Sequence, residues 1–296
     1  MSVLTAAAGR RGIAATARDY VSLLKLRIVA LLDATAVGVM FPAAQGHPGW
    51  LAVGAVLVGG TFAAGGAHSI NCWFDRDIDA AMNRTRGRPL PDGRIPPWHA
   101  LALGIALNVL AFAVLWAGAN LLAASLALSG TLIYVFVYTM WLKRWTPQNI
   151  VIGGSAGAVP PLVGWAAATG GLDVTALALF AVIFFWTPPH FWALAQMIKK
   201  DYARANIPML PVLASGAAKR QSIGYAVLAG GASLVPFFTH SAGAVYLAGA
   251  IVLGIGLVAV TVLDLNGRRW SRRVFAYSLL YVAMLFTLFA LSPLLP

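Results

Sequence analysis

The sequence predicts an all-α polytopic membrane protein with nine transmembrane helices, its amino terminus inside and its carboxyl terminus outside. Three observations carry that prediction. Of the 296 residues, 60% are hydrophobic and 10% are charged, whereas a soluble chain carries roughly a quarter charged residues. Apolar runs of about 20 residues, the length that crosses the hydrocarbon core of a bilayer, recur from end to end. Lys and Arg fall only in alternate gaps between those runs.

Taken in order, residues 1–24 are small and polar, with Arg10, Arg11, Arg18 and a lone Asp19. Without an apolar signal core, they read as a short disordered cytosolic tail ahead of a single membrane-embedded domain over 25–296. Span one covers about 28–44, behind Lys25 and Arg27, and span two covers 50–71. The polar loop 72–98 carries aspartates, arginines and the turn-forming Pro89-Leu-Pro91-Asp-Gly93. Span three is 99–117 and span four 121–141. Span five, 149–168, is expected to be broken by Gly153, Gly154, Gly157 and Pro160-Pro161, and span six, 174–198, to kink at Pro188-Pro189. A second polar loop, 199–220, precedes spans seven (221–239), eight (243–263) and nine (274–291).

The charge map supports this division. The tail and the loops after spans two, four, six and eight hold five, five, two, five and four Lys or Arg, accounting for all 21. The opposite loops, near 45–49, 118–120, 170–173 and 240–242, hold none, which sets the cytosolic side. The net charge of +12 is therefore topological and gives no reason to expect nucleic acid. A single Cys, Cys72, excludes an internal disulfide and a multi-thiolate metal site.

All nine acidic residues are Asp, so each one near a span has individual meaning. Asn71, Asp75 and Asp79 are spaced four apart and stack along one face of a helix. Three oxygen donors at a membrane surface suit a hard cation such as Mg²⁺ and a diphosphate held through it. Arg84, Arg86 and Arg88 follow at once, as donors matched to phosphate oxygens. A solvated loop that balances its own charges is the plainer alternative. His68 lies one turn below Asn71 on nearly the same face. Asp33, about 12 Å beyond Lys25 along helix one, must face the bundle interior because a carboxylate at depth is costly.

Span six ends much as span two does, in His190-Phe-Trp-Ala-Leu-Ala-Gln-Met-Ile-Lys199-Lys200-Asp201. Both polar clusters emerge on the same side, and two sites facing one cavity would be the economical arrangement. Helical stepping puts Asp201, Met197, Leu194 and His190 on one face, so that Asp201 points where His190 points; an interfacial ion pair with Lys200 is its other reading. Polar clusters and Pro/Gly-interrupted helices also occur in transporters, whose sites normally lie near mid-membrane.

The pattern Asn71-x3-Asp75-x3-Asp79-x4-Arg84-Thr85-x2-Arg88-Pro89-Leu90 resembles the signature of the UbiA-type intramembrane prenyltransferases. The stretches 138–147, 157–165, 187–192 (Thr187-Pro-Pro-His190-Phe-Trp192) and 201–211 are similar to the branch of that family that prenylates heme. The resemblance spans roughly residues 20–290. It implies nine helices bundled around a central cavity open toward lipid. It also implies transfer of a farnesyl group from farnesyl diphosphate to a vinyl group of heme B, giving heme O, with Mg²⁺ assisting diphosphate ionisation. Prenyl transfer to an aromatic or quinone-precursor acceptor is the alternative within the family.

By the same resemblance, Asn71, Asp75, Asp79 and Asp201 bind Mg²⁺, and Arg84 and Arg88 clamp diphosphate oxygens, with Arg86 at a variable position. Lys143, Lys199 and Lys200 are further diphosphate candidates; Lys143 equally fits as a mere positive-inside marker. Relatives often carry a second Asp-x3-Asp, where this chain keeps Asp201 alone. His190, then His68, are candidates for ligating heme iron or accepting a proton, and Trp192 for lining the cavity. The implied partners are farnesyl diphosphate, heme B and membrane lipid, with heme A synthase or a terminal oxidase assembly as a candidate contact. The implied location is a cell membrane, bacterial cytoplasmic rather than mitochondrial inner.

Overall fold

The computed structural model describes residues 12–263, 265 and 269–295. The expected tail over residues 1–11 lies outside them. Among the described residues there is no strand, and nine helical stretches are long and apolar enough to cross a membrane, as the sequence predicts.

The first described element is α1 (Ile13–Leu23), within the stretch 1–24 where a disordered tail was expected. Its 11 residues fold because one face is apolar: Tyr20 and Leu23 pack against Cys72, Leu90, Ile95 and Ala100. Lys25 then turns the corner in the left-handed conformation, φ 53°, which is uncommon for a residue with a side chain. From that corner come α2 (Leu26–Ala43), α3 (Trp50–Phe74), the short α4 (Arg76–Ala81) and α5 (Pro97–Gly118). Helix α6 (Leu121–Leu132) continues through a π-helical stretch, Ile133–Leu142, into α7 (Lys143–Trp145). Next are α8 (Asn149–Thr169), α9 (Val174–Met197), the short α10 (Lys199–Arg204) and α11 (Leu210–Leu213). The chain finishes with α12 (Ser215–Ala232), the short α13 (Val235–Phe238), α14 (Ala244–Leu263) and α15 (Trp270–Leu291).

The spans form two lobes that share α2 and α8. One core joins Ala36 and Met40 of α2 and Val159 and Val163 of α8 to Val56, Leu115 and Ala123 of α3, α5 and α6. The other joins Val39 and Trp165 of the same two helices to Val182, Ala226, Tyr246 and Tyr281 of α9, α12, α14 and α15. With no hydrophobic drive between helices in lipid, such contacts rest on close packing, which small residues permit. At the crossing of α2 and α8, a Cβ on Gly164 would stand 1.9 Å from the Ala36 carbonyl oxygen, so only glycine fits. Exposed Trp50, Trp98, Trp116, Trp141 and Trp145 lie near span ends, the belt position of amphipathic rings.

Two expectations about helix continuity are corrected. Span five is not broken: α8 runs unbroken through Pro160 and Pro161. Gly153 and Gly154 serve close contact instead, since a Cβ there would meet the Tyr138 ring at 2.3 Å and the Thr187 methyl at 2.8 Å, while Gly157 faces open space. Span six ends at Met197, and the chain leaves helical geometry at Ile198 (φ −111°, ψ 29°) before α10 begins. The stretch from His190 to Asp201 is therefore two helices joined at Ile198, with hydrogen bonds from Ile198 N–H to Leu194 O and from Tyr202 N–H to Ile198 O, both 3.3 Å, crossing the joint. Asp33 is buried as expected, accepting a 2.7 Å hydrogen bond from Thr61 Oγ1 of α3.

Candidate active site

The site is built where α3 ends. Its helix stops at Phe74, Asp75 sits outside helical geometry (φ −86°, ψ 11°), and α4 restarts at Arg76. Two backbone hydrogen bonds carry the spacing of four across this joint, from Asp75 N–H to Asn71 O (2.9 Å) and from Asp79 N–H to Asp75 O (2.8 Å). The ladder read from the sequence thus survives a break the sequence did not announce. All three side chains are buried, with Asp75 at 1% exposure.

The π-helical stretch faces the ladder rung for rung. Tyr134 stands edge-on to His68 with ring centroids 5.4 Å apart, Thr139 Oγ1 accepts from Asn71 Nδ2 at 3.1 Å, and Lys143 donates to Asp75 Oδ2. Residues five apart stack in a π-helix, and such segments are frequent at functional sites. Here the wider turn lines up 134 and 139, and the following α-helical turn brings in 143.

The remaining polar groups close the shell. Asn71 Nδ2 also donates to Asp75 Oδ2 at 2.7 Å, and Lys25, from its left-handed corner, donates to Asn71 Oδ1 at 3.1 Å. Arg88 Nη1 pairs with Asp79 Oδ2 at 2.7 Å, while Thr85 Oγ1 donates to the Asp79 carbonyl at 2.9 Å. Arg144 grips Asp77 with two 2.8 Å hydrogen bonds, which hold the Asp77 carboxyl below its usual range. The same guanidinium comes within 3.7 Å of Asp75 Oδ1. That oxygen is buried and has no hydrogen-bond partner.

The second cluster meets the first by packing. Ile78 and Met82 pack with Ala195, Tyr202, Ile207 and Met209, and a cleft of about 300 Å³ lies between Asp77, Ile78 and Arg144 on one side and Arg204 and Asn206 on the other. Burial pushes the Tyr202 phenol up to about 12. Asp201 pairs with Arg204, three residues on, at 3.4 Å, and not with Lys200. Arg84 and Arg86 are exposed. Trp192 is fully buried with Leu210, Ala218 and Tyr225, a packing position.

Among the described residues, no group of three or more His, Cys, Asp or Glu stands together in a metal-binding arrangement. The ladder is a different donor set, two carboxylates and an amide. It fits a hard divalent cation through its oxygen chemistry and its one unpartnered buried carboxylate oxygen. Sequence reasoning named Asn71, Asp75, Asp79, Arg88 and Lys143, which the structure brings together. It missed Lys25, Tyr134 and Thr139; a lysine abutting span one and a threonine within the 138–147 stretch were the available signals.

A sequence profile of the UbiA prenyltransferase family matches residues 31–280. The chain belongs to the UbiA prenyltransferase family. It is 50% identical over 278 residues, 93% of this chain and 91% of the relative, to a protein of Gloeobacter violaceus named protoheme IX farnesyltransferase. Its fold is that of other UbiA members. It is similar to a structure of digeranylgeranylglyceryl phosphate synthase at TM-score 0.79, 18% identity, 94% of this chain and 99% of that one. It is similar also to a UbiA homolog from Archaeoglobus fulgidus bound to GPP and Mg²⁺, at TM-score 0.71, 19% identity, 92% of this chain and 99% of that one. It is a multi-pass membrane protein.

Proposed function

We infer that this chain is a prenyltransferase that moves a farnesyl group from farnesyl diphosphate to a vinyl group of heme B, giving heme O. The observation that carries this reading is the 50% identity to a protoheme IX farnesyltransferase over nearly the whole of both chains. The polar ladder supplies the matching chemistry. By the charge map, its end of the bundle faces the cytosol of a bacterial cell, and the chain sits in the cytoplasmic membrane.

Asn71, Asp75 and Asp79 would hold Mg²⁺, with Asp201 approaching from the second cluster. When bound, the metal neutralises charge developing on the departing diphosphate. Lys143 and Arg88 at present balance Asp75 and Asp79. With Asp75 and Asp79 committed to the metal, Lys143 and Arg88 would turn to diphosphate oxygens, where exposed Arg84 and the candidates Lys199 and Lys200 would join them. The positive groups thus change partners while the entering cation and diphosphate offset each other's charge. Apolar walls around the farnesyl chain would keep water from the allylic cation until the vinyl carbon has attacked.

The deciding experiment incubates membranes containing the protein with heme B, farnesyl diphosphate and Mg²⁺ and follows the heme by mass. The expected product carries a farnesyl group plus the elements of water, its formation stops with a chelator, and Mg²⁺ restores it. An unchanged heme alongside a prenylated aromatic acid would replace this reading with the quinone-precursor one.

A further inference from the structure

Two histidines sit deep in the site-bearing helices, and the fold treats them differently. His68 of α3 is buried, and neither ring nitrogen has a hydrogen-bond partner or any opening. His190 of α9 is held from three directions. Trp186, one turn earlier, and Phe275 of α15 stack on its ring at 4.2 and 4.8 Å, with planes tilted by 20° and 25°. Trp186 is itself anchored, its Nε1 donating to the Ser278 carbonyl at 2.7 Å. The third support is Ser278 Oγ, 2.8 Å from His190 Nδ1.

That last contact fixes the tautomer. Ser278 Oγ also lies 2.8 Å from the Phe275 carbonyl, which can only accept; the arrangement that satisfies both contacts has the hydroxyl donate there and accept from the imidazole. The ring proton therefore sits on Nδ1, assigned by the hydrogen-bond network, and Nε2 carries the lone pair. Nε2 has no partner among the described residues and, unlike both nitrogens of His68, is not sealed under neighbouring atoms. An imidazole with Nδ1–H given to an oxygen, its plane locked and Nε2 open is the form in which histidine binds metals.

We propose that His190 ligates the iron of the heme acceptor through Nε2, with Ser278 as the residue that positions it; this rests on the heme reading above. Coordination fits better than proton acceptance. A proton acceptor becomes cationic, yet the ring's contacts are Trp186, Phe275 and a serine, with no carboxylate among them. Ligation asks for no new charge. His190 stands seven residues before the end of α9, about 10 Å inside it, which places the iron in the apolar part of the bundle below the diphosphate end.

The test titrates the detergent-purified full chain with heme B, ferrous and ferric, without farnesyl diphosphate, and reads the Soret and visible bands. The wild type should give histidine-coordinated bands. His190→Ala should lose them with a larger drop in heme affinity than any other variant, and added imidazole should restore them. His190→Met, closer in volume, should replace them with a thioether-ligated spectrum. Ser278→Ala should keep the bands but weaken heme binding about tenfold, and His68→Ala should keep both. Wild-type bands and affinity in His190→Ala overturn the assignment, as does their loss in His68→Ala. Unchanged bands with lost turnover would make His190 a proton acceptor instead, also overturning it. A wild type that binds no heme would overturn the acceptor reading itself.

Discussion

The polar ends of α3 and α9 are alike in outline and unlike in construction. Each helix stops at a residue outside helical geometry, Asp75 or Ile198, and restarts as a six-residue helix. At Asp75 the bonding across the joint keeps its four-residue step. At Ile198 the carbonyl is shared, accepting from Asp201 N–H at 3.0 Å and from Tyr202 N–H at 3.3 Å, so the turn tightens while a four-residue bond still crosses it. The partners differ as well. Asp75, its side chain 2% exposed, is met by Lys143 from 68 residues away. Asp201, at 14%, is met by its neighbour Arg204, itself half exposed. Long-range pairs around a buried carboxylate are fixed by the fold, whereas exposed local pairs contribute little. We propose that the first end is a prebuilt site and that the second is an adaptable edge that completes it.

The largest effect should come from Asp75→Asn. It replaces one of the two central oxygens of the ladder with an NH₂ group and leaves Lys143 without its counter-charge, so turnover should fall more than about 10³-fold, at the upper end for one electrostatic contact. Measured on membranes shown by protease protection to hold the inserted protein, a loss of less than tenfold would take the ladder out of catalysis. Next is Arg88→Ala, which frees Asp79 and deletes a diphosphate donor. A loss of about 10²-fold, with KM for farnesyl diphosphate raised, is expected. A fall in kcat alone would mean that Arg88 acts on the ladder and not on the substrate.

Asp201→Asn tests the comparison directly. If the second end only completes the metal site, turnover should drop about tenfold, in the range seen for groups that support a metal without dominating it, and raised Mg²⁺ should recover much of it. A loss as deep as that of Asp75→Asn, unresponsive to Mg²⁺, would show two equal halves.

This asymmetry marks the limit of what could be read from the sequence. The nine spans were legible because bilayer thickness and the distribution of Lys and Arg act on every loop. The ladder was legible because a spacing of four needs no tertiary knowledge. The rungs opposite it were not: whether Tyr134, Thr139 and Lys143 share a face depends on a π-helical turn that packing imposes. Lys25 reaches Asn71 only because of a left-handed corner, which no propensity for lysine foretells. At Asp201 the same helical stepping has to cross a joint at Ile198, which carries neither Gly nor Pro to announce it.

The smallest effect should belong to Arg204→Gln. Its ion pair with Asp201 spans three residues on an exposed turn, a class of contact worth at most about 1 kcal/mol and often nothing measurable. Heme farnesylation at saturating Mg²⁺ should therefore stay within about twofold of wild type. At limiting Mg²⁺ the rate should hold or rise, because Asp201 no longer shares its charge with a cation that competes for it. The equivalent removal at the other end, Lys143→Gln, would strip a buried carboxylate of its counter-charge and should cost far more. Equal losses in the two variants would mean that Arg204 is as firmly placed as Lys143, and the contrast between a prebuilt and an adaptable end would have to be given up.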